Sequence, residues 1–160
     1  MLDKNILKFL IVLLPLLLSL GCSSSENDDD SDNNSKTSLH DTRDSHRPGQ
    51  ACLSCHNVGG SNDYQFRLAG TVYNLTETAV YPNATIYLYT GANATGNLVA
   101  TVDVDALGNF YTTQSINWGS NGLYPMVTSS QGARAMSMPT SDGNCNDCHD
   151  GNNVSRIYVD

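Results

Sequence analysis

Basic residues are scarce: 8 Lys and Arg stand against 16 Asp and Glu in 160 residues, a formal charge of −8. Residues 1–21 read as an export signal. Their removal, with Lys4, Lys8 and Asp3, leaves 6 basic and 15 acidic residues, or −9. Such a polyanion has nothing with which to displace counterions from a phosphate backbone, so nucleic-acid binding is excluded, as is electrostatic adhesion to anionic lipid. Large aromatics are few, with one Trp and three Phe, which leaves material for a modest core and one ordinary domain. Past residue 22 no stretch keeps helical periodicity for three turns, which argues against a helical bundle. There is no nucleophile triad and no phosphate loop.

The only long apolar run is Phe9–Leu18, ten residues interrupted by Pro15, too short for a comfortable membrane span. It leads into Leu18-Ser19-Leu20-Gly21-Cys22 and three serines. A small residue before a lone cysteine at this place resembles the lipobox of bacterial lipoproteins. That resemblance implies lipidation of Cys22 and release to the outer membrane, although the family prefers Leu where Ser19 stands. A cleaved signal with Cys22 incidental is the other reading. Residues 22–45 are dominated by Ser, Asn and Asp with Leu39 as the only aliphatic side chain, the composition of a solvated, self-repelling, disordered tether.

Four cysteines remain, in two pairs, and each pair is followed directly by histidine: Cys52-Leu-Ser-Cys55-His56 and Cys145-Asn-Asp-Cys148-His149. With 4 His in the whole chain, composition does not explain two such triplets. CxxCH is the attachment pattern of c-type haem. Two thiols one turn apart reach the two vinyl groups of the porphyrin, and the next imidazole projects under the ring to bind iron. The expectation is therefore two c-type haems, held by Cys52/Cys55 and Cys145/Cys148 with His56 and His149 as proximal ligands. Disulfides or a zinc site built from both CxxC pairs remain as alternatives, but neither uses the histidines.

The sixth ligand decides between carrier and enzyme. His46, six residues before Cys52 and followed by a Pro48-Gly49 reversal, is the candidate at the first iron; His40 lies deeper in the tether. Met136 and Met138, two apart on an expected strand leading to Cys145, are candidates at the second, against a packing role. Met126 is expected inside the domain. Ligation by a neighbouring molecule is a further possibility. A bis-histidine site beside a His/Met site would have unequal potentials.

Between the motifs the pattern is β: alternating segments at 65–73, 84–89, 98–104, 110–113, 123–129 and 134–138, a doubtful one at 78–81, and a tail strand at 154–159, separated by Asn/Gly/Pro turns. The expected class is an all-β, antiparallel β-sandwich flanked by two short haem-binding segments. The expected domains are a first haem segment at 46–64, the sandwich at 65–138, and a second haem segment with the C-terminal strand at 139–160. The order Ala69-Gly70-Thr71-Val72-Tyr73, Ala84-Thr85-Ile86-Tyr87-Leu88 and Asp105-Ala106-Leu107-Gly108-Asn109-Phe110-Tyr111 resembles the carboxypeptidase-regulatory-like (transthyretin-like) Greek-key sandwich. With CxxCH on both sides, the chain is similar to small multihaem surface lipoproteins of bacteria that respire extracellular electron acceptors. The resemblance implies an exported, lipid-anchored electron carrier at the outer cell surface. Its partners would be other redox proteins or copies of itself and an extracellular acceptor. A glycan-binding or adhesive sandwich with accessory haem, and a small haem peroxidase or reductase, are the other readings. Strand parity leaves open whether the two motifs share one end of the sandwich.

Overall fold

The computed structural model describes residues 35–59 and 64–159. The export signal at 1–21, Cys22 and the first part of the acidic tether lie outside the described residues. Seven strands follow: β1 (Leu68–Tyr73), β2 (Thr85–Gly91), β3 (Thr95–Asp103), β4 (Asn109–Thr112), β5 (Tyr124–Thr128), β6 (Ala133–Ala135) and β7 (Ile157–Tyr158). They form two sheets, ordered β4-β1-β7 and β3-β2-β5-β6. The only helical pieces among the described residues coincide with the motifs: a 3-10 turn at Cys52–Ser54 and a single α-turn, α1, at Cys145–Cys148.

Local chemistry explains the elements. In β2 the inward residues Ile86 and Leu88 are buried and alternate with half-buried Tyr87 and Tyr89, as a strand with one wet face requires. Asn93 and Ala94, with φ of 54° and 59°, make the two-residue turn into β3, closed by Thr95 N–H donating to the Ala92 carbonyl at 3.2 Å. Before β4, the buried Asp105 Oδ1 accepts from Leu107 N–H (2.9 Å) and Asn109 N–H (3.0 Å). Gly108 takes φ 79° where a Cβ would press on Val80 at 2.6 Å. Leu68, Val72, Ile86, Leu88, Val102, Val104, Phe110, Leu123, Val127 and Val159 form the core.

All six residues of β1 are buried, although the sequence alternates like a half-exposed strand. The second face is covered by the motif segments. One edge of β1 pairs antiparallel with β4, from Leu68 opposite Thr112 to Thr71 opposite Asn109. The other edge is taken by the C-terminal chain running parallel: Ala69 bridges Asn144, and Val72 and Tyr73 pair with Ile157 and Tyr158. Between those two points the chain leaves the edge, makes α1, and returns. The tail strand thus joins its own sheet, and the expectation of a purely antiparallel sandwich is corrected at this one pair.

Three further expectations change. The strand at 134–138 ends at Ala135, so Met136 and Met138 do not share a strand face. The segment at 78–81 contributes only a bridge from Val80 to Tyr73. The tether is docked from Lys36 onward. Ser38 is fully buried, its N–H donating to the Tyr111 carbonyl at 2.9 Å and its hydroxyl to the Asp103 carbonyl at 2.6 Å. His40 Nε2 lies 2.9 Å from the Ala84 carbonyl and 3.4 Å from Asp103 Oδ1, which makes it a clasp on the sandwich. Backbone bonds explain why a polar segment packs: the strand ends it covers need partners more than they need apolar contact.

Gly143 sets the approach of the second motif. Ala69 N–H donates to its carbonyl at 2.8 Å, and a Cβ at this position would be driven into the Arg67 carbonyl. Gly143→Ala should therefore lower stability by about 1–3 kcal/mol, as overpacking does, measurable as a fall in the urea midpoint.

Candidate functional site

The two CxxCH segments are built alike and meet on one strand. In the first, Gly49 N–H donates to Thr71 Oγ1 at 2.8 Å and seats the Pro48-Gly49 reversal on β1. The turn that follows lets His56 N–H reach the Cys52 carbonyl at 3.0 Å. In the second, His149 N–H reaches the Cys145 carbonyl at 2.9 Å. Each turn sets two thiols and an imidazole on one short arc.

The imidazoles share a second feature. His56 Nδ1 lies 3.1 Å from the Tyr64 carbonyl, and His149 Nδ1 lies 2.7 Å from the Ser155 carbonyl. A carbonyl only accepts, so each Nδ1 is the donor, which leaves Nε2 as the ring nitrogen that could bind a metal. His56 is buried and stacks on Phe66 at 4.2 Å between ring centroids, and Phe66 stacks on Tyr111 at 4.8 Å.

Each histidine lines a cavity. The first, about 590 Å³, lies against β4, with Cys52, Cys55, His56, His46, Phe66 and Tyr111 in its wall. The His46 and His56 ring centroids are 5.9 Å apart. Two imidazoles binding one metal from opposite sides, each at about 2 Å from nitrogen to metal, have centroids roughly 6 Å apart. The second cavity, about 310 Å³, opens between the sheets at the edge carrying β7 and is walled by Cys145, Cys148, His149, Met126, Met136 and Phe110. Met136 is therefore placed with the second motif. Met138 is 69% exposed and outside that wall, because the chain bends after β6. Met126, expected in the interior, is half-buried at the cavity.

Phe110 lines both cavities. Its neighbours Asn109 and Tyr111 line the first, so the two sites share β4. A buried polar node ties them. Thr71 Oγ1 accepts from Gly49 N–H and from Asn146 Nδ2 (3.0 Å) and donates to Asn109 Oδ1 (2.7 Å). Asn146 Oδ1 accepts the Thr71 N–H at 3.0 Å, and its amide also donates to the Gln50 carbonyl at 2.9 Å. Asn109 Nδ2 in turn donates to Ser45 Oγ (2.9 Å) and to the His46 carbonyl (3.3 Å). Parity counting left the relation of the motifs open because the segment at 78–81 was doubtful; that segment makes only a bridge, and six strands lie between the motifs.

The thiols differ. Cys55 and Cys148 are exposed, Cys52 and Cys145 half-buried, and no disulfide joins any of them. Burial pushes the Cys52 thiol up. It pushes Cys145 up to about 12, with the nearby charges of Asp142 and Cys52 adding to the effect. Among the described residues no three His, Cys, Asp or Glu side chains converge on one point.

Thr71, Asn109, Phe110 and Met126 were not singled out from sequence as site residues, and Asn146 was read only as a spacer inside CxxC. Nothing local marks a threonine in a strand as a junction. No family model, curated protein or solved structure matches this chain.

Proposed function

We propose that the chain is a dihaem c-type cytochrome that carries electrons at the outer cell surface, anchored there through a lipid on Cys22. The observation that carries this reading is the matched pair of Nδ1–H to carbonyl hydrogen bonds at His56 and His149, each beside two cysteines and a cavity. When bound, each haem supplies an iron that takes up and releases one electron. Cys52, Cys55, Cys145 and Cys148 hold the two groups covalently. His56 and His149 present Nε2 as proximal ligands in a fixed tautomer. His46 would be the second side chain to hold the first group, and Met136 or Met126 would offer sulfur at the second. A metal held from both sides by these side chains would offer a substrate no place, which favours a carrier over a peroxidase or reductase.

Adjacent motifs support exchange within one molecule, so a head-to-tail array of copies is an extension of the function and not a requirement for it. Other redox proteins or further copies supply and receive the electrons, and an extracellular acceptor lies at the end of the path.

Pyridine haemochrome analysis with intact mass should give two porphyrins per polypeptide, and a redox titration should resolve two unequal steps. The reduced protein should not bind carbon monoxide. A colourless chain from a host competent in haem ligation would refute the reading, and tight carbon monoxide binding would return it to an enzyme.

A further inference from the structure

After residue 21 the chain has only six basic residues: Lys36, Arg43, Arg47, Arg67, Arg134 and Arg156. Four of them line the two cavities, Lys36 and Arg47 at the first, Arg134 and Arg156 at the second. One carboxylate accompanies each pair, Asp44 and Asp142 respectively, so both cavities carry a local positive excess in a strongly acidic protein. Three of the four cations lie over tyrosine rings: Lys36 Nζ is 5.3 Å from the Tyr64 centroid, the Arg134 guanidinium 4.2 Å from Tyr158, and that of Arg156 4.7 Å from Tyr73. Aromatic faces orient a cation without neutralising it. Among the described residues, Lys36, Arg47 and Arg156 make no salt bridge. A surface that needed cations only for solubility would scatter them among its fifteen acids, where exposed pairs cost little to form.

The geometry points to two carboxylate-binding sites. We infer that Lys36 and Arg47 at the first cavity, and Arg134 and Arg156 at the second, receive the two propionate groups of the porphyrin bound there. This rests on the dihaem reading and adds to it the residues that recognise the acidic edge of the cofactor. It also adds an inequality. Lys36 and Arg47 are exposed, whereas Arg134 and Arg156 are half-buried. Water and salt screen the first pair more than the second. A cation near the iron favours the reduced form, which carries one positive charge fewer, so the buried pair should raise the potential of its own site more.

The test uses the full cofactor-loaded chain. Porphyrin content is measured first, then redox titrations are run at low and high salt for K36Q/R47Q and for R134Q/R156Q. Each pair should lower one of the two potentials and leave the other in place, with the larger and less salt-sensitive drop in R134Q/R156Q. Since Arg156 also donates to the Glu77 carbonyl at 2.7 Å, R134K/R156K serves as the charge-preserving control and should restore the potential. Two porphyrins per chain with both potentials unmoved by the Gln substitutions would overturn the assignment and leave the dihaem reading standing. A wild-type chain without porphyrin would overturn both.

Discussion

Thr71→Val should cost roughly 3 kcal/mol of stability and loosen both motif segments from β1. The hydroxyl is fully buried and uses its whole capacity, one hydrogen donated and two accepted. Valine keeps the shape and removes all three bonds. The Gly49 N–H and Asn109 Oδ1 lose a buried partner, while Asn146 Nδ2 keeps only the Gln50 carbonyl. Leaving a buried polar group without a partner costs about 1–3 kcal/mol each, far more than the net value of a hydrogen bond. Thr71→Ser retains the hydroxyl and should lose only about 1 kcal/mol for one methyl group. Urea denaturation of the two variants compares them directly. Equal midpoints would mean that the motifs are held by packing and not by this node.

A second large effect concerns Cys145. In chain produced without porphyrin, its thiol, raised from 9.0 to about 12 by burial, should alkylate at pH 8 about a thousand times more slowly in the folded chain than in denaturant, because only the thiolate reacts and its fraction falls tenfold per pH unit. Peptide-resolved mass spectrometry after iodoacetamide, with and without denaturant, would read this. The linkage to stability has a definite direction. A thiol raised from 9.0 to about 12 in the folded chain holds its proton more tightly when folded. Its contribution is therefore complete below pH 9 and is lost as pH rises towards 12. On the dihaem reading, thioether formation would consume the thiol, and this alkaline loss should then be absent from cofactor-loaded protein. Similar alkaline behaviour in both forms would place its origin elsewhere, with Tyr111, also raised by burial, as the first alternative.

Much of the sandwich was legible because alternation and turn chemistry act locally. The segments at 84–89, 98–104, 110–113 and 123–129 correspond to β2, β3, β4 and β5 within a few residues. Asp105 and Gly108 marked the turn into β4 through bonds made within four residues. The motif geometry was legible for the same reason, since a CxxCH turn closes on itself. What could not be read is all long-range. Thr71 joins Gly49 and Asn146, 22 and 75 residues away. Ser38 and His40 belong to a run with the composition of a tether, and only strand ends brought to them by folding give them partners. Met138 looked equivalent to Met136 on an assumed strand; one bend after Ala135 puts Met136 in the cavity wall and Met138 in water.

The excursion carrying Cys145 to Ser155 interrupts a strand without breaking its sheet. Ala69 to Val72 is three steps along β1, while the returning chain covers thirteen positions between the matching partners Asn144 and Ile157. The surplus leaves and re-enters the same edge, and Asn146 lends its side-chain oxygen to the one β1 amide stranded in the gap. The fold therefore constrains where the excursion starts and stops and, through Asn146, what stands just after its start. The length beyond Asn146 is nearly free, since lengthening a closed loop adds only about (3/2)RT ln n. A sandwich of this design can accommodate a longer or shorter insert beyond Asn146, while the hydrophobic interior beneath it keeps the same residues in the same places.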